Sequence, residues 1–200
     1  MFFKGFIDHF REDESGVISI GLLFAVPILV WALLSTYVYF DVFRAELVSN
    51  KAGITIADMI SREEEAITED YIDGALELLE LLTEEDDDPQ LRITVFWYDE
   101  GNDSYELAWS ETRGFANALD AGDLANMYDT IPLMADGDRA ILVETASGYQ
   151  QPITYSIGPF SGADLNDVEF STFTIIKPRF LTSQFCFDDD ATDDTNVLDC

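Results

Sequence analysis

GVISIGLLFAVPILVWALLSTYVYF, residues 16–40, is the stretch that decides the fold. It contains no charged residue, and the acidic residues Glu14 and Asp41 bracket it. As a helix, the part from Val17 onward would be about 36 Å long, enough to cross a hydrocarbon core of about 30 Å. A soluble core helix is the alternative, but such a helix normally carries a polar face. Here the polar residues are only Ser19, Ser35 and Thr36. The stretch therefore predicts a transmembrane helix.

The same stretch does not resemble a cleaved secretory signal. Those signals have an apolar region of about 7–15 residues that ends in small residues. Here the run continues through Trp31, Tyr37, Tyr39 and Phe40, and aromatic residues are typical of a membrane interface. Pro27 removes one helical hydrogen bond and predicts a kink inside the span. We expect the segment to be retained as an anchor.

The composition limits the classes of partner. Ten basic against forty acidic residues give a net charge of −30, which repels nucleic acid and anionic membrane surfaces. Residues 1–15 carry two basic and four acidic residues, so nearly all of the charge belongs to the rest of the chain. Strong acidity usually serves solubility or a salty habitat. The part outside the anchor is long enough for one modest soluble domain.

The helical pattern continues beyond the apolar stretch. Phe43, Leu47, Ile54 and Ala57 form an apolar stripe, and no proline interrupts it. We expect one helix from about Val17 to Glu64. A second helix should begin at Thr68, a residue type that caps helices, and should end at the acidic residues 84–88.

From residue 91 onward the apolar period changes from helical to alternating. Strands are expected at 91–98, 105–110, 139–147 and 168–176, with a turn at 99–103 and a short helix near 123–128. The predicted fold class is α+β, with about four antiparallel strands packed on the extramembrane part of the long helix. The expected organisation is a cytoplasmic amphipathic lead (1–15), the transmembrane helix (16–40), extramembrane helices (41–88), a sheet domain (89–185) and an acidic tail (186–200).

The sequence offers no recognisable catalytic constellation, so we expect a protein that is not an enzyme, with no cofactor and no small-molecule substrate. Its one histidine, His9, precedes the anchor, and phosphate-binding and nucleophile motifs are lacking. Two acidic clusters, 84–88 and 188–194, could bind calcium, but the spacing and glycine of an EF-hand loop are missing. Solvated loops are the simpler interpretation, and no metal site is predicted.

Cys186 and Cys200 are the two cysteines of the chain, and a disulfide between them is a hypothesis. The closed loop would stabilise the fold by about 3 kcal/mol in the chain-entropy model. Lys177 and Arg179 belong to a small set of cations, and local salt bridges are the expected use of both.

The order of these features resembles pilins and pseudopilins, and more narrowly the TadE-like proteins of tight-adherence (Flp-type) pilus assembly. In that family a glycine opens the apolar run and a proline follows eleven residues later, as Gly16 and Pro27 do here. Further short segments resemble the family: residues 50–54, 108–110, 131–133, 140–144 and 177–179. The resemblance implies a pilin-like fold and a role in pilus assembly through helix packing and partner contacts.

One position departs from the family pattern. The family has a glutamate five residues after the glycine, where this chain has Gly21. In pilin-like proteins that carboxylate is thought to meet the N-terminal amine freed by a prepilin peptidase, which here would cut between Gly16 and Val17. Without it, the amine of a packed fibre subunit would be buried unpaired. We therefore expect the protein to stay mostly full length.

The resemblance also implies the location and the partners. It predicts a single-pass protein of the bacterial inner membrane with a cytoplasmic N-terminus and a periplasmic C-terminal domain. Basic residues do not decide the orientation, because Lys4 and Arg11 are matched by Arg44 and Lys51. Expected partners are the lipid bilayer and other pilus-assembly or membrane proteins, without nucleic acid. The alternative is a membrane-anchored periplasmic binding or adhesion module unrelated to pili.

Overall fold

The computed structural model describes residues 15–83, 89–153, 156–157, 160–161, 165, 168–179 and 186–188. Intramolecular contacts divide the chain into two compact units. The first unit combines residues up to Val42 with Gln151–Asp164, and the second holds Phe43–Gln150 together with the residues from Leu165 onward.

Helix α1, Ser15–Ser61, is 47 residues long and includes Pro27. It ends three residues before the predicted boundary because its last carbonyl groups find other donors. The backbone N–H of Arg62 donates to Met59 O, and that of Arg179 donates to Ser61 O at 3.0 Å. Such bonds satisfy the carbonyls that a helix leaves unpaired at its C-terminus.

Helix α2, Glu69–Thr83, begins where the sequence predicts it. Thr68 Oγ1 accepts a hydrogen bond from the backbone N–H of Tyr71 at 3.2 Å, which is the expected N-cap interaction. The two residues before α2 form β1, Ile67–Thr68, which pairs in parallel with β8, Phe187–Asp188. This pairing was not predicted, since two-residue strands carry no periodic signal.

Four strands form one antiparallel sheet: β2 (Gln90–Asp99), β3 (Ser104–Arg113), β4 (Arg139–Gly148) and β7 (Glu169–Ile176). Their order is β3-β2-β4-β7. An extra residue in β3, Ala108, interrupts the register between Val95 and Phe96 of β2. The predicted α+β class, with a long apolar helix and a small antiparallel sheet, is confirmed. Two further strands, β5 (Ser156–Ile157) and β6 (Phe160–Ser161), pair separately as an antiparallel hairpin.

Alternation along the strands gives the sheet two buried faces. On one face, Ile93 and Val143 pack with Ile56 of α1 and Leu79 of α2, and all four are fully buried. This cluster fixes the second half of α1 and α2 to the same side of the sheet.

The opposite face is covered by the segment between β3 and β4, which includes the short helix α3, Ala121–Asn126. Phe96 and Leu142 pack there against Leu124 of α3, and all three are fully buried. Asp120 caps α3: its carboxylate accepts from the backbone N–H of Asp123, whose side chain accepts from Asp120 N–H in return. The second unit is therefore layered as helices, sheet, and helix with loop.

Candidate functional site

The first candidate surface is the apolar part of α1. Its large side chains are mostly exposed, including Leu23 at 69% and Phe24 at 68%. Over the described residues, one helix is long and apolar enough to cross a membrane: the part of α1 from Ile20 to Ser61 contains a window of mean hydropathy 2.1, none of it buried. Exposed apolar side chains at this density are unfavourable in water and favourable against lipid.

The residues discussed for processing lie in or beside this surface. The helical backbone includes Gly16 and Val17 without a break, and Pro27 lies within the same helix. Gly21 is exposed, and among the described residues a Cβ built on it would meet no neighbouring heavy atom within 4 Å. A Cβ at Gly21 therefore meets no steric conflict with other described residues. Residues 1–14, which contain His9, lie outside the described residues.

Farther along α1, a row of small residues brings the helix close to the sheet. The hydroxyls of Ser49 and Ser147 are 3.0 Å apart and buried. Gly53 lies directly over two threonines: a Cβ built on it would be 3.1 Å from Thr145 Oγ1 and too close to Thr172 Oγ1. Thr145 Oγ1 and Thr172 Oγ1 are themselves hydrogen-bonded at 2.5 Å. We call Ser49, Gly53 and these three sheet residues the small-residue contact.

The apolar stripe predicted from the sequence does not form this contact. Of its members only Ala57 is buried, whereas Phe43 is 45%, Leu47 59% and Ile54 58% exposed. The physical reason is the close approach at Gly53. A helix that carries its small residues toward the sheet can pack more tightly than one that presents bulky residues. Leu47 and Ile54 are thus exposed on a side of α1 that does not face the sheet.

Charged contacts hold the end of α1 and the end of β7 in place. Arg179 Nη2 lies 2.6 Å from Asp58 Oδ1, and Arg62 lies 2.8 Å from Asp58 Oδ2. The hydrogen bond from Arg62, followed by the charge of Arg179, lowers the pKa of Asp58 from its ordinary value. Lys177 forms an ion pair with Asp138. The expected local salt bridges of Lys177 and Arg179 are therefore confirmed.

A polar cluster closes the hairpin between β2 and β3. Asp103 has a positive φ of 51°, a conformation that Asp tolerates better than most residues. Its Oδ1 accepts hydrogen bonds from the hydroxyls of Tyr98 and Tyr128, each at 2.7 Å. These bonds, first from Tyr98 and then from Tyr128, lower the pKa of Asp103. The same bonds raise the pKa of both tyrosines. The polar groups of the cluster hydrogen-bond to one another, and the cluster therefore acts as an internal lock that stabilises the turn.

Arg92 forms a second internal lock. Its guanidinium makes a two-point contact with Glu144, at 2.7 and 2.8 Å, and lies 4.8 Å from the centre of the Phe115 ring. Arg92 also donates to the carbonyl of Asn117. Both charged groups are mostly buried, so this pair fixes the segment after β3 over the sheet rather than offering a free charge.

The two acidic clusters and the hypothetical disulfide fall largely outside the described residues. Among the described residues, no group of three or more His, Cys, Asp or Glu side chains is arranged to hold a metal ion. Residues 84–88 and 189–194 are not described. Cys186 is fully buried and disulfide-bonded. Cys200 lies outside the described residues, so the pairing of the two cysteines stays a prediction.

Comparison with protein-family models, curated proteins and solved structures found no match. The likeness to TadE-like proteins therefore rests on the sequence features alone. Sequence reasoning missed the small-residue contact, although a signal was present: Ser49, Ala52, Gly53 and Ala57 are small residues at helical spacing. The structure uses that spacing for packing and leaves the bulkier Leu47 and Ile54 exposed.

Proposed function

We propose that this chain is a single-pass inner-membrane protein that assists the assembly of a tight-adherence type IV pilus, in the manner of TadE-like proteins. One observation carries the proposal. An exposed, charge-free apolar segment continues within a single helix, α1, into the part that packs on a four-stranded antiparallel sheet. This is the architecture that the family resemblance implies.

The arrangement supports a role in contacts rather than in chemistry. The apolar segment provides an anchor in the bilayer, and the extramembrane part of α1 leads directly to the sheet domain. The small-residue contact and the internal locks at Asp103 and Arg92 make that domain rigid, which suits a protein that presents surfaces to partners. The proposed partners are other pilus-assembly or membrane proteins.

The proposed orientation places the N-terminus in the cytoplasm and the domain from residue 41 onward in the periplasm. Reporter domains fused after Arg44 and at the C-terminus test it. We expect activity with a reporter that works only outside the cytoplasm, and none with a reporter that works only inside. Activity of the cytoplasmic reporter at either fusion point contradicts the orientation.

Deletion of the gene in its native host tests the assembly role. We expect pili, counted by electron microscopy on cells grown under piliating conditions, to be lost or strongly reduced, and restored by the gene in trans. A version of the gene with Leu23→Lys and Phe24→Lys tests whether the role needs the anchor. This variant should leave the membrane and fail to restore pili. Normal piliation of the deletion strain contradicts the role and leaves the anchored binding or adhesion module as the explanation.

A further inference from the structure

The turn between β2 and β3 contains a short motif that can accept a covalent modification. Asn102, Asp103 and Ser104 form the pattern Asn-x-Ser, in which the middle residue is not proline. This pattern is the acceptor of N-linked glycans on surface loops of proteins outside the cytoplasm. Of the asparagines in the chain, Asn102 alone is followed two positions later by serine or threonine. The sequence therefore offers one acceptor motif.

Asn102 lies at the tip of the turn, where an enzyme can reach its side chain. Gly101, Asn102 and Asp103 are all exposed, and the strands on either side are paired up to Asp99 and Ser104. A glycan is bulky and strongly hydrated, so its attachment site has to be on the surface. The tip of a hairpin meets this requirement without any rearrangement of the sheet.

The turn lies at the end of the sheet opposite the one where α1 enters the second unit. Near that entry, Ser49 of α1 contacts Ser147 at the C-terminal end of β4. Because β2 is antiparallel to β4, the turn after β2 lies at the other end of β4, where Trp97 pairs with Arg139. A large group on the turn therefore leaves the packing of α1 on the sheet intact.

The hydrogen bonds of the motif are made by accessible side chains. The side-chain amide of Asn102 donates to Asp99 Oδ2 at 2.7 Å, and the backbone N–H of Gly101 donates to Asp99 Oδ1 at 2.9 Å. The hydroxyl of Ser104 donates to Glu106 at 2.7 Å. Asp99, Ser104 and Glu106 are half-buried. An enzyme can therefore replace these bonds with its own without exposing a buried polar group.

We propose that Asn102 is a site of N-linked glycosylation, modified by transfer of an oligosaccharide from a polyprenyl phosphate or diphosphate donor. The inference rests on the proposed orientation, which places the sheet domain outside the cytoplasm. In the transfer, Asn102 Nδ2 forms a bond to C1 of the first sugar, and the bond from C1 to the phosphate oxygen breaks. The lipid phosphate leaves with the electron pair of that bond, and the amide nitrogen gives up one of its two protons.

The hydroxyl of Ser104 separates this role from a purely conformational one. Asparagine is common in turns because it tolerates their backbone angles and bonds to nearby backbone groups. A turn residue needs no hydroxyl two positions later, whereas the acceptor motif requires serine or threonine there. Ser104→Thr keeps the hydroxyl and Ser104→Ala removes it, so these two variants should differ in modification.

Mass spectrometry of peptides from the full-length protein, purified from membranes of its native host, tests the proposal. We expect the wild-type peptide that contains Asn102 to carry the added mass of a glycan and to release sugar fragments. The modification should be lost in Asn102→Gln and in Ser104→Ala. It should remain in Ser104→Thr and in the control Asn126→Gln, which alters an exposed asparagine outside the motif. An unmodified Asn102 in the wild type, or a glycan that persists in Ser104→Ala, overturns the proposal.

Thiol labelling distinguishes a failure of this proposal from a failure of the orientation. Asn102→Cys is exposed to a membrane-impermeant maleimide in cells whose inner membrane is intact, and the wild type treated in the same way gives the background. Labelling above that background is expected. If Asn102→Cys is labelled but the wild-type Asn102 is unmodified, the glycosylation site is refuted and the orientation stands. If labelling requires lysis of the inner membrane, the orientation is refuted and the glycosylation site with it.

Discussion

Replacing Gly53 by alanine should destabilise the sheet domain, although alanine is the better helix former. Gly53 lies in the C-terminal half of α1, over Thr145 and Thr172. A new methyl group would be 3.1 Å from Thr145 Oγ1 and 3.2 Å from Thr172 Cβ, and still closer to Thr172 Oγ1. Neither threonine can move freely, because their hydroxyls are hydrogen-bonded to each other and both side chains are buried.

The expected size follows from three contributions. Alanine gains about 1 kcal/mol of helix propensity over glycine. Overpacking a close contact costs about 1–3 kcal/mol, and separating two buried, hydrogen-bonded hydroxyls costs about 1–3 kcal/mol for each one left without a partner. The costs exceed the gain, and we expect a net loss of about 2 kcal/mol in the free energy of unfolding.

Gly74 provides the matched control. It also lies in the interior of a helix, α2, but a Cβ built there would meet no neighbouring heavy atom of the described residues within 4 Å. Gly74→Ala should therefore keep only the propensity gain and stabilise the domain by about 1 kcal/mol. The two glycine-to-alanine changes, identical in chemistry, should shift stability in opposite directions.

Thermal unfolding of the full-length protein in detergent micelles, followed by near-ultraviolet circular dichroism of its aromatic residues, measures both shifts. For a domain of this size, 1 kcal/mol corresponds to about 2–4 °C in Tm. Thr172→Ala should remove much of the penalty of Gly53→Ala when the two are combined, because the oxygen that obstructs the methyl group is gone. If Gly53→Ala raises the Tm as Gly74→Ala does, the close approach of α1 to the sheet is refuted.

Three further predictions concern covalent structure, processing and pH. Mass spectrometry of the unreduced, alkylated protein should show Cys186 linked to Cys200; two alkylated thiols would disprove the link. N-terminal sequencing of protein purified from cells should find mostly full-length chains, whereas Gly21→Glu, which the open space at Gly21 accommodates, should increase the fraction that starts at Val17; a wild-type protein that already starts there refutes the expectation. Asp103 has a folded-state pKa below its ordinary value of 3.8, so its stabilising bonds are present above that pH and are lost as the pH falls through the folded pKa. The Tm advantage of the wild type over Asp103→Asn should shrink below about pH 4, and a constant gap would contradict the role of Asp103.

The elements of this fold could be predicted from the sequence because their periodic patterns are long. The helical spacing around Leu47 and the alternation through Ile93 and Val143 extend over many residues, so helix and strand positions follow. The N-cap at Thr68 was also predictable from the sequence, since capping depends on a few adjacent residues. The pairing of β1 with β8 was not, because two short segments far apart in sequence meet only once the core has formed.

The orientation of α1 on the sheet could not be predicted either, for a different reason. The helix carries two candidate faces, a bulky one with Leu47 and Ile54 and a small one with Ser49 and Gly53. Hydrophobicity favours burial of the bulky face, whereas shape favours the small one, and the choice depends on the threonines and serine that the sheet presents. Those residues lie on β4 and β7, about a hundred positions later in the chain.

This choice of faces decides which large apolar side chains of α1 stay exposed. Had α1 buried Leu47 and Ile54 against the sheet, these two large apolar side chains would be withdrawn from water. Because the small residues take the sheet contact, the bulky ones stay exposed at 59% and 58%. An exposed apolar stripe normally invites nonspecific association, but a chain with a net charge of −30 repels other acidic surfaces.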